Sequence, residues 1–152
     1  MKFDLNQGSK GEWFPYFGST VRADGTVDYA EPQPGAARVC LRIADAETLE
    51  KIHAQTRAKK AEFVLNPQTR QMERVVYFDQ APDQAKKERE LIWDHAIVDW
   101  EGIEDAKGKP VPCTAENKMR LINIPEFARY IGRCLQIMGT AEADQAEASE
   151  KN

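Results

Sequence analysis

The sequence predicts an α+β fold: a small antiparallel sheet and hairpins with three to four helices, a long amphipathic C-terminal helix and a disordered acidic tail. Three observations point there. Short alternating runs bounded by Gly, Pro, Asn and Asp fill the first forty or so residues and return around "AEFVLNPQTRQMERVVYF". Segments with apolar residues at helical spacing, some opened by Asp or Thr, lie between and after them. The last thirteen residues, "TAEADQAEASEKN", carry no aromatic side chain and mostly polar or acidic ones.

Each element has a local cause. The aromatic group Trp13, Phe14, Tyr16 and Phe17 precedes "ADGTVDY", where Asp24-Gly25 signals a hairpin because both residues tolerate positive φ. "EPQPG" reads as a loop, since neither proline donates a ladder hydrogen bond. "ARVCLRIA" alternates Val39, Leu41 and Ile43 with Arg38, Cys40 and Arg42, a half-buried strand. Asp45 is the expected N-cap of a helix over "DAETLEKIHAQTRAKK", with Leu49, Ile52, His53 and Thr56 at helical spacing. "NPQTRQ" then joins two strands, its Asn-Pro start favouring a turn. "APDQAKKERELIWDHA" is a helix with Ala85, Glu88, Ile92 and Ala96 in one stripe.

"IVDWEGIED" returns to strand chemistry, with a bulge expected at Gly102 where the alternation slips. "AKGKPVP" is a turn, and Thr114 caps a short helix, "AENKMRLI". In "IPEFARYIGRCLQIMG", Ile124, Phe127, Ala128, Ile131, Cys134, Leu135 and Met138 form an apolar stripe. Pro125 lies in the first turn and Gly139 at the expected stop. The domain expectation is a single α+β domain over residues 1–139 and a flexible acidic tail over 140–152.

Composition narrows the function classes. The 152 residues are 41% hydrophobic and 30% charged, with a net charge of −4, ordinary for a soluble domain and without the basic footprint of a nucleic-acid binder. No apolar run approaches the roughly 18 residues a membrane span needs, and "MKFDLNQGSKGEWF" lacks the apolar stretch of a secretory signal. Three widely spaced cysteines (Cys40, Cys113, Cys134) fit free thiols in a reducing compartment. A cytoplasmic protein is expected.

No chemical site stands out. His53 and His95 have no partners at ligand spacing, so no metal is expected. Cys40 and Cys134 sit at apolar-face or strand positions, and Cys113, beside a helix N-terminus, is the one thiol whose place could lower its pKa. Asp94, Asp99, Glu101, Glu104 and Asp105 cluster in sequence, which suits paired acid–base work or the polar face of a strand and turn. Phosphate-binding glycine loops are missing. The basic residues of "RAKK" (57–60), with Arg70 and Arg74, read as a solvated helix end and its surroundings. Two apolar groups are candidates for binding a partner: Trp13, Phe14, Tyr16 and Phe17, and on the last helix Phe127 and Ile131. A core role is the ordinary fate of such a stripe. A surface-acting protein without catalytic residues or cofactors is expected.

One stretch carries a resemblance. "IVDWEGIEDAKGKPVPCTAENKMRLI" is similar to a pattern in small tail assembly proteins of long-tailed bacteriophages, through Asp99, Trp100, Gly102, Gly108, Pro110, Pro112, Thr114, Glu116 and Asn117. Physically these are fold-forming residues: Gly108 permits a turn, the prolines hold the chain extended, Thr114 caps and Trp100 anchors. The resemblance implies a cytoplasmic tail assembly chaperone of phage or prophage origin. Such a protein binds the helical tape measure protein, helps recruit tail tube subunits, and in some phages is extended by a frameshift. No cofactor, nucleic acid or membrane is expected from the composition and motifs, and a homo-oligomer is left open. The other readings are a virion component (a tail terminator or head–tail connector) and a small Cys- or carboxylate-based enzyme.

Overall fold

The computed structural model describes Met1 and residues 10–150, with side chains as far as residue 139. Among the described residues the elements run β1 (Glu12–Pro15), β2 (Ser19–Val21), β3 (Val27–Tyr29), β4 (Arg38–Leu41), α1 (Ala46–Thr56), β5 (Ala58–Leu65), β6 (Met72–Asp79), α2 (Pro82–Ala96), β7 (Ile97–Glu101), α3 (Ala115–Ile122) and α4 (Pro125–Glu150). The predicted α+β class is the observed one. The chain divides into two compact units, Met1–Ala44 with Trp93–Asn152, and Asp45–Ile92.

The first unit is built on a three-stranded antiparallel sheet in the order β1-β4-β7. Its inward side chains, Phe14, Val39, Leu41, Ile97 and Trp100, meet Phe127, Tyr130, Ile131 and Cys134 of α4 in one buried cluster. The alternation read in "ARVCLRIA" does place Val39 and Leu41 inside, but Cys40 is also buried. The Asp24-Gly25 hairpin forms as expected: β2 pairs with β3, and the Arg22 amide donates to the Thr26 carbonyl at 2.8 Å. The predicted bulge lies elsewhere. Register shifts where Cys40 faces Asp99 and Leu41 faces Ile97, which makes Val98 the extra residue. Gly102 instead ends the strand, at φ 76°, with an added Cβ only 3.2 Å from the Ala37 Cα.

The segment after β7 folds back on the sheet. Asp105 organises the turn: its carboxylate accepts from the amides of Lys107 and Lys109 at 2.8 and 2.9 Å, and Gly108 turns the chain at φ 79°. Val111 then returns alongside Ile103, its amide 2.9 Å from that carbonyl. The Trp100 indole Nε1 donates to the Val111 carbonyl at 2.7 Å, so the buried ring also clamps the returning strand. Thr114 caps α3 through the Asn117 amide at 3.2 Å, as predicted. Lys118, buried on α3, donates to both the carbonyl and a carboxylate oxygen of Asp94 at 3.0 Å. A second correction concerns the last helix, which passes through Gly139 and continues to Glu150. An exposed glycine inside a helix costs only about 1 kcal/mol relative to alanine, too little to end it.

The second unit holds α1, the β5–β6 hairpin and α2 as far as Ile92. Asp45 caps α1 through the Thr48 amide at 2.7 Å. The helix is shorter than predicted: it ends at Thr56, Arg57 is extended, and residues 58–60 open β5. The end of α1 is fastened to α2 by Glu88, whose Oε1 accepts from Arg57 Nε at 2.9 Å and from the buried Thr56 hydroxyl at 3.3 Å. Burial alone would raise the Glu88 pKa, but hydrogen bonds from Arg57 and Gln80, with the charges of Arg57 and His53, hold it below the ordinary range.

These contacts predict three outcomes. Trp100→Phe keeps most of the apolar contact but strands the Val111 carbonyl, so denaturant unfolding should show a loss of about 1–3 kcal/mol. Gly102→Ala should cost more than Gly108→Ala, since both adopt positive φ, worth about 1–3 kcal/mol, but only at 102 does the new Cβ press on backbone. For Glu88 the folded pKa lies below the unfolded value of about 4.3, so its contribution is present above that pH and is lost as pH falls through the folded pKa. Glu88→Gln should weaken hydrogen-exchange protection of α1 and α2 at pH 7, and its deficit should shrink below about pH 4.

Candidate partner-binding surfaces

The residues singled out as partner contacts are mostly committed elsewhere. Phe14, Phe127 and Ile131 are buried in the first unit's core, because the α4 stripe faces its own sheet. Tyr16 and Phe17 pack edge-on to Tyr130, ring centroids 5.0 Å away in each case. Only Trp13 among the six is exposed, with the Arg38 guanidinium 4.3 Å above its ring. Tyr130 itself is absent from the predicted stripe, yet among the described residues it is the largest fully buried side chain, and its hydroxyl donates to the Phe14 carbonyl at 2.6 Å. Burial pushes its phenol far above the usual range.

The candidate chemical groups are likewise occupied by structure. Glu101 pairs with Arg38 at 2.7 Å, which holds its carboxyl below the ordinary range. Asp99 accepts from the Trp100 amide at 2.8 Å, Asp94 holds Lys118, and Asp105 organises the turn. Cys113 is half-buried, and its place before α3 does not lower its pKa. Burial pushes the thiol up, and Asp99 and Asp94 add to the rise, while the charge of Lys118 and a hydrogen bond with the Trp100 backbone only partly offset it. Burial also raises Cys40, and pushes Cys134 up to about 12. Among the described residues, none of the His, Cys, Asp and Glu side chains form a group of three that could hold a metal ion, and no helix is long and apolar enough to cross a membrane.

The first unit does carry an apolar cleft of about 290 Å³ beside the motif, lined by Tyr16, Val39, Ile103, Leu121, Ile124 and Phe127. It is small and open. A larger unsatisfied surface lies in the second unit, on the β5–β6 hairpin. Asn66 opens its loop, accepting from the Gln68 amide at 2.9 Å, and Arg70 completes it at φ 57°. Eight residue pairs, from Ala58 opposite Asp79 to Leu65 opposite Met72, run without interruption. Paired residues share a face, so one face carries Ala61, Phe63, Leu65, Met72, Val76 and Phe78 with only Lys59 and Arg74 as charges. The opposite face carries Val64 and Val75 but is otherwise largely polar: Lys60 meets Asp79 at 2.5 Å, and the Tyr77 hydroxyl donates to Glu62 at 2.8 Å.

Every residue of both strands is exposed, with Phe63 at 70% and Phe78 at 68%. A ribbon that is apolar on one face and polar on the other is the pattern of a half-buried sheet, here with its apolar face open. Exposed apolar patches of this kind mark interaction surfaces. The hairpin's strands were predicted, but its role was not. Alternating apolar residues at 61, 63 and 65, and at 72, 76 and 78, were the available signal.

Fold and surfaces together define a small α+β protein whose unsatisfied chemistry is apolar surface. Its lineage agrees with that description: a family model for the YdaY prophage protein matches residues 44–152, and the chain belongs to that family of prophage proteins. No curated protein and no solved structure matches it.

The pKa directions generate a labelling prediction. At pH 7.5 the folded protein should react with a thiol reagent several-fold more slowly at Cys113 than an unstructured thiol does, and more slowly still at Cys40 and Cys134. Mass spectrometry of partly labelled protein would measure this, and the differences should vanish in denaturant.

Proposed function

We propose that this prophage protein is a tail assembly chaperone: a non-enzymatic helper that binds apolar helical segments of the tape measure protein and helps bring tail tube subunits to it. The observation that carries this reading is the open apolar face of the β5–β6 hairpin, supported by the likeness of residues 97–122 to tail assembly proteins. A tape measure protein is long, helical and prone to expose apolar stripes before the tube encloses it. A two-stranded apolar face that also carries Lys59 and Arg74 suits an amphipathic helix with acidic flanks. Binding of this kind is driven by apolar burial, breaks no bond and reverses when a tube subunit competes for the same stripe.

Co-expression with the neighbouring tape measure protein, followed by size-exclusion chromatography with light scattering, tests the reading. A tape measure protein insoluble alone should elute with this chain in a fixed ratio. Phe63→Asp should abolish that complex while changing the chain's own stability by no more than about 0.5 kcal/mol, since the side chain is exposed. A tape measure protein that stays insoluble overturns the reading, and this protein found in purified particles at a fixed ratio would replace it with a virion component.

A further inference from the structure

We infer that two copies of this chain pair through the outer edge of β6, joining their hairpins into one four-stranded antiparallel sheet. This inference needs only the chain itself and stands apart from the tape measure reading.

The backbone sets which groups are open. The Asn66 amide donates to the Gln71 carbonyl at 2.9 Å, so 66 and 71 form a hydrogen-bonded pair. Alternation along the uninterrupted register then directs the amides and carbonyls of Glu73, Val75, Tyr77 and Asp79 toward β5. Those of Met72, Arg74, Val76 and Phe78 point outward. Among the described residues β5 and β6 pair only with each other, so this outward row has no strand partner. An exposed edge of this length is a template for another strand, and "VVYF" (residues 75–78) carries no charge, Pro or Gly to blunt it. The charges of β6 (Glu73, Arg74 and Asp79) lie toward its ends, whereas β5 carries Lys59, Lys60 and Glu62 within its first five residues, and edge lysines discourage pairing.

A two-fold axis through Val75 fits this edge. It sets Val75 against Val75 of the second copy as a non-hydrogen-bonded pair and joins the outward rows, Met72 to Phe78 and Arg74 to Val76, by hydrogen bonds. On the other face Glu73 meets Tyr77. No like charges face each other, and Met72 against Phe78 is a favourable sulfur–aromatic contact. Sliding the axis to Arg74 would oppose two arginines, and sliding it to Val76 would oppose Glu73 to Asp79. Beside the backbone bonds, the pairing covers part of Met72, Val75, Val76 and Phe78, which are between 43% and 68% exposed.

Disulfide trapping tests the pairing. At a non-hydrogen-bonded pair the Cα atoms lie about 4.5 Å apart, within disulfide reach. Under mild oxidation Val75→Cys should give a covalent dimer at least about tenfold faster than Val64→Cys, an equally open position on β5, because pairing raises the local thiol concentration. The parent protein, with its three native cysteines, is the blank. Light scattering should show a concentration-dependent dimer for the parent. It should show a folded monomer for Val76→Pro, which removes an outward amide but no bond to β5. Equal trapping at 75 and 64, faster trapping at 64, or a parent that stays monomeric at every concentration overturns the proposal. So does trapping at 75 that appears only with the tape measure protein present.

Discussion

The first unit depends on a phenol buried where phenols are costly to bury. Tyr130 lies wholly inside the core and donates to the Phe14 carbonyl at 2.6 Å, across 116 residues of sequence. An unpaired hydroxyl there would cost roughly 1–3 kcal/mol, so the bond dictates how close β1 and α4 must come. Tyr16 and Phe17 then have only one place to go, edge-on against the same ring. The aromatic run near the N-terminus is thereby spent on holding a helix to a sheet edge. Its remaining exposed member, Trp13, is covered in part by Arg38, which also pairs with Glu101 on β7.

The motif from Asp99 to Thr114 completes that core from the other side. Trp100 fills it and reaches through to the Val111 carbonyl, Gly102 passes close to Ala37, and the Asp105 turn sends the chain back toward the α3 cap. The Trp100 anchor, the Gly108 turn and the Thr114 cap were legible in the sequence, since turn glycines and N-caps are local properties of residue type, whereas the close approach of Gly102 to Ala37 and the part Asp105 plays in the turn were not. Tyr130 was not legible. It sits beside the apolar stripe of α4, and a helical-period reading ranks a tyrosine among residues that keep their polar end in water. Only the carbonyl of Phe14, contributed from the far end of the chain, makes its burial affordable. The bulge at Val98 escaped for the same reason: register is set by the partner strand β4.

Past Gly139 the error ran the other way. A glycine and a run of acidic residues look like an ending, and local reasoning weighs them so. The segment "TAEADQAEASE" is nevertheless mostly Ala, Glu and Gln, which are good helix formers. An established helix extends at little cost once nucleated. The end of α1 shows the converse. "RAKK" has fair helical propensity, yet Arg57 turns extended to meet Glu88 and starts a strand. In both places a contact or a nucleus supplied by the rest of the chain outweighed the local composition.

The hairpin poses a different problem, because its two strands were legible and its exposure was not. Alternating apolar residues normally announce a face that another layer of the same domain covers. Here, among the described residues, every position of β5 and β6 stays exposed, while the other face ties Lys60 to Asp79 and Tyr77 to Glu62. A two-stranded ribbon in water is only marginally stable by itself, so what covers the apolar face and the β6 edge also stabilises the ribbon. Edge pairing and face covering are compatible, since one uses outward backbone groups and the other uses side chains normal to the sheet. Doubling the ribbon would widen the apolar face to about four strands, roughly 19 Å at 4.7–4.9 Å per strand, enough to seat a helix about 10 Å across. Self-pairing would then create the platform that a helical partner needs, and a mutation confined to the edge would weaken partner binding without touching a single partner contact.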